Sequence, residues 1–138
     1  VTQIDFYTHA SNPLAVAVRL IEKAWERKLP VWVRTADETS AQQLSQLLWT
    51  HSQLSFIPHC LSTDPLATET PVVIDAKSLE PSSDQVLINL HAERPDYFSR
   101  FHRLLEIVGT TDADLTQARQ RYSWYRDRGF TLQSHRVA

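Results

Sequence analysis

Short apolar runs alternate with longer amphipathic stretches along most of this chain. Ile4-Asp5-Phe6-Tyr7 reads as a strand, and Pro13 then opens a segment in which Ala15, Val16, Val18, Leu20, Ile21, Ala24 and Trp25 recur at helical spacing. Proline suits that first turn because its missing N–H has no intrahelical partner there. Pro30 introduces a second strand, Val31-Trp32-Val33-Arg34, and a helix from about Ser40 to Thr50 sets Leu44, Leu47 and Leu48 on one side with Trp49 beside them. Val72-Val73-Ile74-Asp75 and Val86-Leu87-Ile88-Asn89-Leu90 are two further strands, and the pattern then predicts helices near Asp96 to Val108 and over Asp112 to Arg128. Strands alternating with helices imply an α/β fold whose sheet is mostly parallel and packed between helices. A chain of 138 residues supports one domain, spanning 1–138.

The last helix has the most distinctive surface. At about 100° per residue, Leu115, Ala118, Tyr122 and Tyr125 share one arc, Arg119 and Arg126 lie along one edge, and Arg121 and Arg128 along the other. Trp124 falls nearly opposite Leu115. Thr111 and Asp114 have capping-box spacing, and Gly129-Phe130 fits a left-handed helix stop. The plainest account makes the aromatic arc core and the arginines solvated edges. Two features raise it above that: acids that could pair with those arginines are scarce locally, and arginine replaces lysine at every basic position after Lys77. Arginine grips carboxylate or phosphate through a planar fork, and tyrosine adds flat contact area with few rotamers to freeze.

Charge sharpens this reading. The net charge is −2, unlike a protein that coats nucleic acid through bulk electrostatics, yet from Leu115 onward five arginines face one acid, Asp127. A basic end on a mildly acidic body steers a particular acidic ligand better than it holds a long polyanion. No apolar run approaches the roughly 20 residues of a membrane span, and the first residues do not resemble a secretory signal. The single cysteine, Cys60, forms no internal disulfide, in keeping with a reducing cytoplasm.

Candidate chemistry is thin. The two glycines, Gly109 and Gly129, fall outside strand-to-helix turns on this element assignment, so no phosphate cradle and no nucleotide cofactor are expected. The six histidines show no helical pairing of the kind zinc needs. His59-Cys60, in the long connection from His51 to Pro71, leaves open a small hydrolase or transferase with a thiol nucleophile, although sequence neighbours rarely align for proton transfer. Direct single-strand binding by the arginine and tyrosine helix is another alternative.

Leu48-Trp49 followed by Phe56-Ile57-Pro58-His59 resembles the chi subunit family of bacterial DNA polymerase III. So does Ala118-Arg119-Gln120-Arg121-Tyr122, continuing to Tyr125-Arg126 and Gly129-Phe130. Phe6-Tyr7 and the run Trp25 to Val31 match in register, so the likeness covers nearly the whole chain. It implies a three-layer, Rossmann-like α/β fold without a glycine-rich phosphate loop. It also implies a non-enzymatic adaptor in the bacterial replisome, with no cofactor. Chi proteins pair with the psi subunit of the clamp loader and bind the acidic C-terminal tail of single-stranded-DNA-binding protein, which ends in phenylalanine; single-stranded DNA is reached indirectly. By position, Arg119 and Tyr122 correspond to tail-binding residues, with Tyr125 and Arg126 framing the pocket. Trp49, Phe56, Pro58 and Val108 correspond to the apolar patch for psi. Leu115 departs from the pattern, since some chi proteins have lysine there.

Overall fold

A computed structural model describes residues 1–51 and 56–137. Among these residues, seven strands form one all-parallel sheet: β1 (Gln3–Thr8), β2 (Val31–Arg34), β3 (His59–Leu61), β4 (Val72–Asp75), β5 (Val86–Asn89), β6 (Arg103–Ile107) and β7 (Thr131–Arg136). Their spatial order is β3-β4-β2-β5-β6-β1-β7. Three helices, α1 (Pro13–Glu26), α2 (Glu38–Thr50) and α3 (Asp112–Asp127), complete a three-layer α/β architecture.

Alternation along the strands divides the core in two. Val31 and Val33, Val72 and Ile74, Val86 and Ile88, Leu105 and Ile107 face α1 and α2, where they meet Val16, Ile21, Leu44 and Leu48. Ile4, Phe6, Trp32, Val73, Leu87 and Leu104 face the other way, toward α3 and its Ala118 and Tyr125. Central parallel strands buried on both faces read as continuous apolar runs, which is why four of them are visible in the sequence.

The helix ends are set by local chemistry. The Asn12 side chain accepts from Ala15 N at 3.2 Å ahead of Pro13, and Asp37 accepts from Ser40 N at 2.7 Å at the start of α2. At α3 both halves of the predicted capping box are present: Asp114 N donates to Thr111 Oγ1 at 3.0 Å, and Thr111 N donates to Asp114 Oδ2 at 3.3 Å. Gly129, at φ +84°, stops the helix and returns its N–H to Arg126 O.

Four sequence expectations need correction. Residues 96–108 form no helix: a short 3-10 turn at Phe98–Arg100 leads into β6. Phe98, Phe101, Leu104, Leu105 and Val108 happen to fall at helical spacing, but all are buried because Leu104 and Leu105 point to opposite faces of a central strand. Gly109 therefore does lie in a strand-to-helix turn, between β6 and α3. The connection after His51 is not a plain loop, since it contains β3 and a 3-10 turn at Ala67–Glu69; its residues 52–55 lie outside the described residues. Leu47 is exposed, whereas Leu44 and Leu48 are buried. The edge strand β7, too polar to announce itself, also goes unpredicted.

Candidate protein-interaction surfaces

The C-terminal end of α2 and the approach to β3 bring three aromatic rings together. Trp49 and Phe56 are 59% and 54% exposed, unusually open for such side chains, and their ring centroids are 4.9 Å apart. His59 completes the cluster, 5.3 Å from Trp49 and 6.1 Å from Phe56. Its Nδ1–H donates to Ile57 O at 2.8 Å, which orients the imidazole, and Pro58 between them is half-buried. Large apolar rings held open in this way are anchors looking for a pocket. Val108 does not belong here. It is 2% exposed, follows β6 at the C-terminal end of that strand, and packs in the α3-side core.

His59 and Cys60 do not form a catalytic pair. Successive strand residues point to opposite faces, so His59 sits with Trp49 on the α2 side while Cys60 packs into the α3-side core. The hydrolase alternative loses its geometry. Among the described residues, no group of three or more histidine, cysteine or acidic side chains is placed to hold a metal.

On α3 the structure rotates the wheel. Its buried residues are Ala118, Arg121 and Tyr125, so the face against the sheet is centred near Tyr125 rather than Leu115. Leu115, Arg119, Tyr122 and Arg126 consequently line one flank. Leu115 and Tyr122 are half-buried, and Tyr122 packs edge-on against Phe6 with centroids 5.3 Å apart. Arg119 and Arg126 are exposed; Arg119 makes no ion pair among the described residues, and Arg126 has only its neighbour Asp127 at 3.3 Å. Tyr125 lies beneath this flank, fully buried, and can support a site only from behind.

Arg121 overturns the picture of solvated arginine edges. It reaches inward to Glu106, a carboxylate fully buried on β6, with Nε 3.2 Å from Oε1. Its Nη1 donates to Ala92 O at 2.6 Å. Glu106 also accepts from Asn89 Nδ2 at 2.8 Å and from Tyr125 Oη at 2.7 Å. Burial pushes the Glu106 carboxyl upward, while the Arg121 charge and the donated hydrogen bonds pull the other way. Burial, then the neighbouring Glu106 charge, pushes the Tyr125 hydroxyl far above its usual range. The one signal of this network in the sequence is an acid inside the apolar run Leu104-Leu105-Glu106-Ile107-Val108.

The family described as DNA polymerase III chi subunit, HolC matches residues 1–133, a span that includes the aromatic cluster and all of α3. The chain belongs to the DNA polymerase III chi subunit family. A DNA polymerase III subunit chi from Pseudomonas aeruginosa is 35% identical over 140 residues, covering 99% of this chain and 97% of the relative. Proteins of the same name from Haemophilus influenzae and Escherichia coli are 32% and 31% identical, covering 88% and 78% of this chain. Chi is an accessory, non-catalytic subunit, and a role in DNA replication follows from the family.

Proposed function

We propose that this chain is a chi-type adaptor, held to the clamp loader through a psi subunit and engaging the acidic C-terminal tail of single-stranded-DNA-binding protein. The observation that supports this reading best is the separation of the two surfaces. The Trp49–Phe56 cluster lies at the β3 edge on the α2 side, and the Arg119–Tyr122 flank lies on α3 over β1, on the other face. Five inter-strand spacings of about 4.8 Å put them about 24 Å apart along the sheet. Two partners can therefore bind at once without touching, as an adaptor requires.

The chemistry of each surface suits its partner. On α3, the exposed Arg119 meets a terminal carboxylate, Tyr122 offers its ring beside a terminal phenylalanine, and Arg126 attracts the preceding aspartates. At the other surface, Trp49 and Phe56, with Pro58 between them and β3, present rings to an apolar groove on psi. The replisome setting makes the protein cytoplasmic.

Calorimetry with an acidic peptide ending in phenylalanine tests the tail site. Arg119→Ala weakens binding by about 2 kcal/mol, roughly thirtyfold, with the fold preserved. Unchanged affinity removes Arg119 from the site. Trp49→Ala and Phe56→Ala reduce co-purification with psi and leave peptide binding intact; normal recovery of psi with both variants refutes that assignment.

A further inference from the structure

The flank of α3 turned away from Tyr122 is built around Trp124. The Cζ atoms of Arg94 and Arg128 each stand 3.7 Å from the centroid of its indole. Two guanidinium groups cannot crowd onto one side of a ring at that distance, so they occupy opposite faces. Arg94 comes from the β5–β6 connection and Arg128 from the end of α3, while Phe98 anchors the indole edge-on at 5.8 Å.

Neither cation is neutralised well. Arg94 is 3.7 Å from Asp96, whose side chain is fully exposed, and Arg128 donates to the Trp124 carbonyl at 3.3 Å. Stacking on an aromatic face fixes a guanidinium plane while leaving its in-plane N–H groups available. Grooves of about 380 and 450 Å³ lie on the two sides of Trp124; the Gln120 amide borders both, Glu93 lines the first, and Arg119 lines the second together with Asp127, which is paired with Arg126. Both are wide open to solvent, so an extended strand can lie across them.

What this flank withholds narrows the ligand. With both indole faces covered, neither a base nor an aromatic side chain has a flat surface to stack on. A peptide with a terminal ring belongs on the Tyr122 flank instead. Here the offer is a pair of planar cations held apart by one indole, comparable in spacing to neighbouring phosphates of an extended strand, with amides between.

We propose that Arg94 and Arg128, clasping Trp124, form a sequence-independent contact for the phosphodiester backbone of a single-stranded nucleic acid. Arg119 lines the Arg128 side of this site, so the two surfaces adjoin, but the contact does not rest on the Arg119–Tyr122 flank binding a peptide. With a net charge of −2 the contact is short, about two phosphates, and strongly salt-dependent.

Fluorescence anisotropy with a labelled oligothymidylate, titrated at several salt concentrations, tests it. The Arg94→Gln/Arg128→Gln variant should bind at least about fivefold more weakly at low salt. The slope of log K against log salt should fall by about 1.4, two phosphates at about 0.7 each. Arg128→Gln alone, at an exposed helix end, should show about half that change in slope, and Arg19→Gln, on the exposed side of α1, should leave binding within about twofold. Unchanged affinity and slope in a double variant with normal thermal melting overturn the proposal. So does equal displacement of the strand by a duplex of the same length or by an acidic peptide, which reassigns the flank to those ligands.

Discussion

Arg121→Met removes the counter-charge of a carboxylate with no access to water. Glu106 is fully buried and the Arg121 side chain 8% exposed, so solvent screening discounts their interaction little. Breaking a buried pair from one side costs about 3–5 kcal/mol, because the remaining charge keeps its desolvation penalty. The lost Nη1 bond leaves the Ala92 carbonyl short of a donor, which favours the upper part of that range. With a urea m-value of roughly 1.5 kcal/mol per molar, the midpoint should fall by roughly 2–3 M.

Two companion measurements isolate the cause. Glu106→Gln/Arg121→Met removes both charges, keeps an oxygen acceptor for Asn89 Nδ2, and offers an amide N–H that the Tyr125 hydroxyl can accept. It should lie within about 1 kcal/mol of the parent, a large coupling energy between the two sites. In Arg121→Met alone, Glu106 keeps a raised folded-state pKa with no cation to oppose it. A raised pKa gives stability that is fully present below the unfolded value and lost as pH rises through the folded one. Arg121→Met should therefore regain stability, relative to the double variant, as pH falls from neutral toward the unfolded carboxyl value. A single-variant loss below about 1 kcal/mol, additive with Glu106→Gln and flat with pH, would refute the ion-pair account.

At alkaline pH, burial raises Tyr7, Tyr97 and most of all Tyr125, so their stabilisation is intact below the unfolded tyrosine value and lost as pH climbs above about 10; Tyr125→Phe should flatten that loss in urea titrations. Asp37, lowered by its bond from Ser40 N, stabilises above its unfolded value and loses this as pH falls through the folded one, so Asp37→Ala should lower the denaturation midpoint at pH 7 and match the parent under strongly acid conditions. Gly129→Ala meets no neighbour within 4 Å yet is held at φ +84°, so its expected cost of about 1 kcal/mol in thermal unfolding is purely conformational. Leu115→Lys, one turn before Arg119, should tighten acidic-peptide binding at low salt by about 0.5 kcal/mol and have no effect at high salt.

What the sequence could express depended on how each element meets the core. β1, β2, β4 and β5 are legible because their apolar runs are short, contiguous and bounded by turn residues. β6 is not, because two strand faces buried at once mimic a helical stripe when aromatics from the preceding 3-10 turn join the count. β7 carries Leu132 and little else that is apolar, since it sits at an edge, so neither period registers. On α3 the caps were legible but the orientation was not. Arg121 turns inward to an acid fifteen residues away, and that attraction, invisible to a hydrophobicity wheel, rotates Leu115, Arg119 and Tyr122 onto one flank and Trp124 onto the other. Val108 shows the same limit: a valine at a strand end can be core or surface, and only the fold decides.

The sheet also bears on why the proposed binding surfaces lie on helix flanks and an edge. Open parallel sheets usually take small ligands at the C-terminal strand ends, where adjacent strands send their connections to opposite faces. β2 and β5 are such a pair here: β2 leads to α2, whereas the chain after β5 returns through Phe98 on the α3 side. The crevice beside them, about 160 Å³ and bordered by Ala36, His91 and Gly109, opens at the start of α3. A phosphate arriving there would meet the Asp114 carboxylate, which already takes the Thr111 N–H. The turn itself is closed by the same group, since a Cβ on Gly109 would collide with Asp114. Beneath, Asn89 donates to Glu106 and Arg121 forms an ion pair with it, so the carboxylate is turned to the chain's own groups. The position that serves cofactors in related architectures is thus filled by the chain's own capping and core groups, in keeping with the proposal that recognition falls to side chains on the outer helix flanks and at the β3 edge.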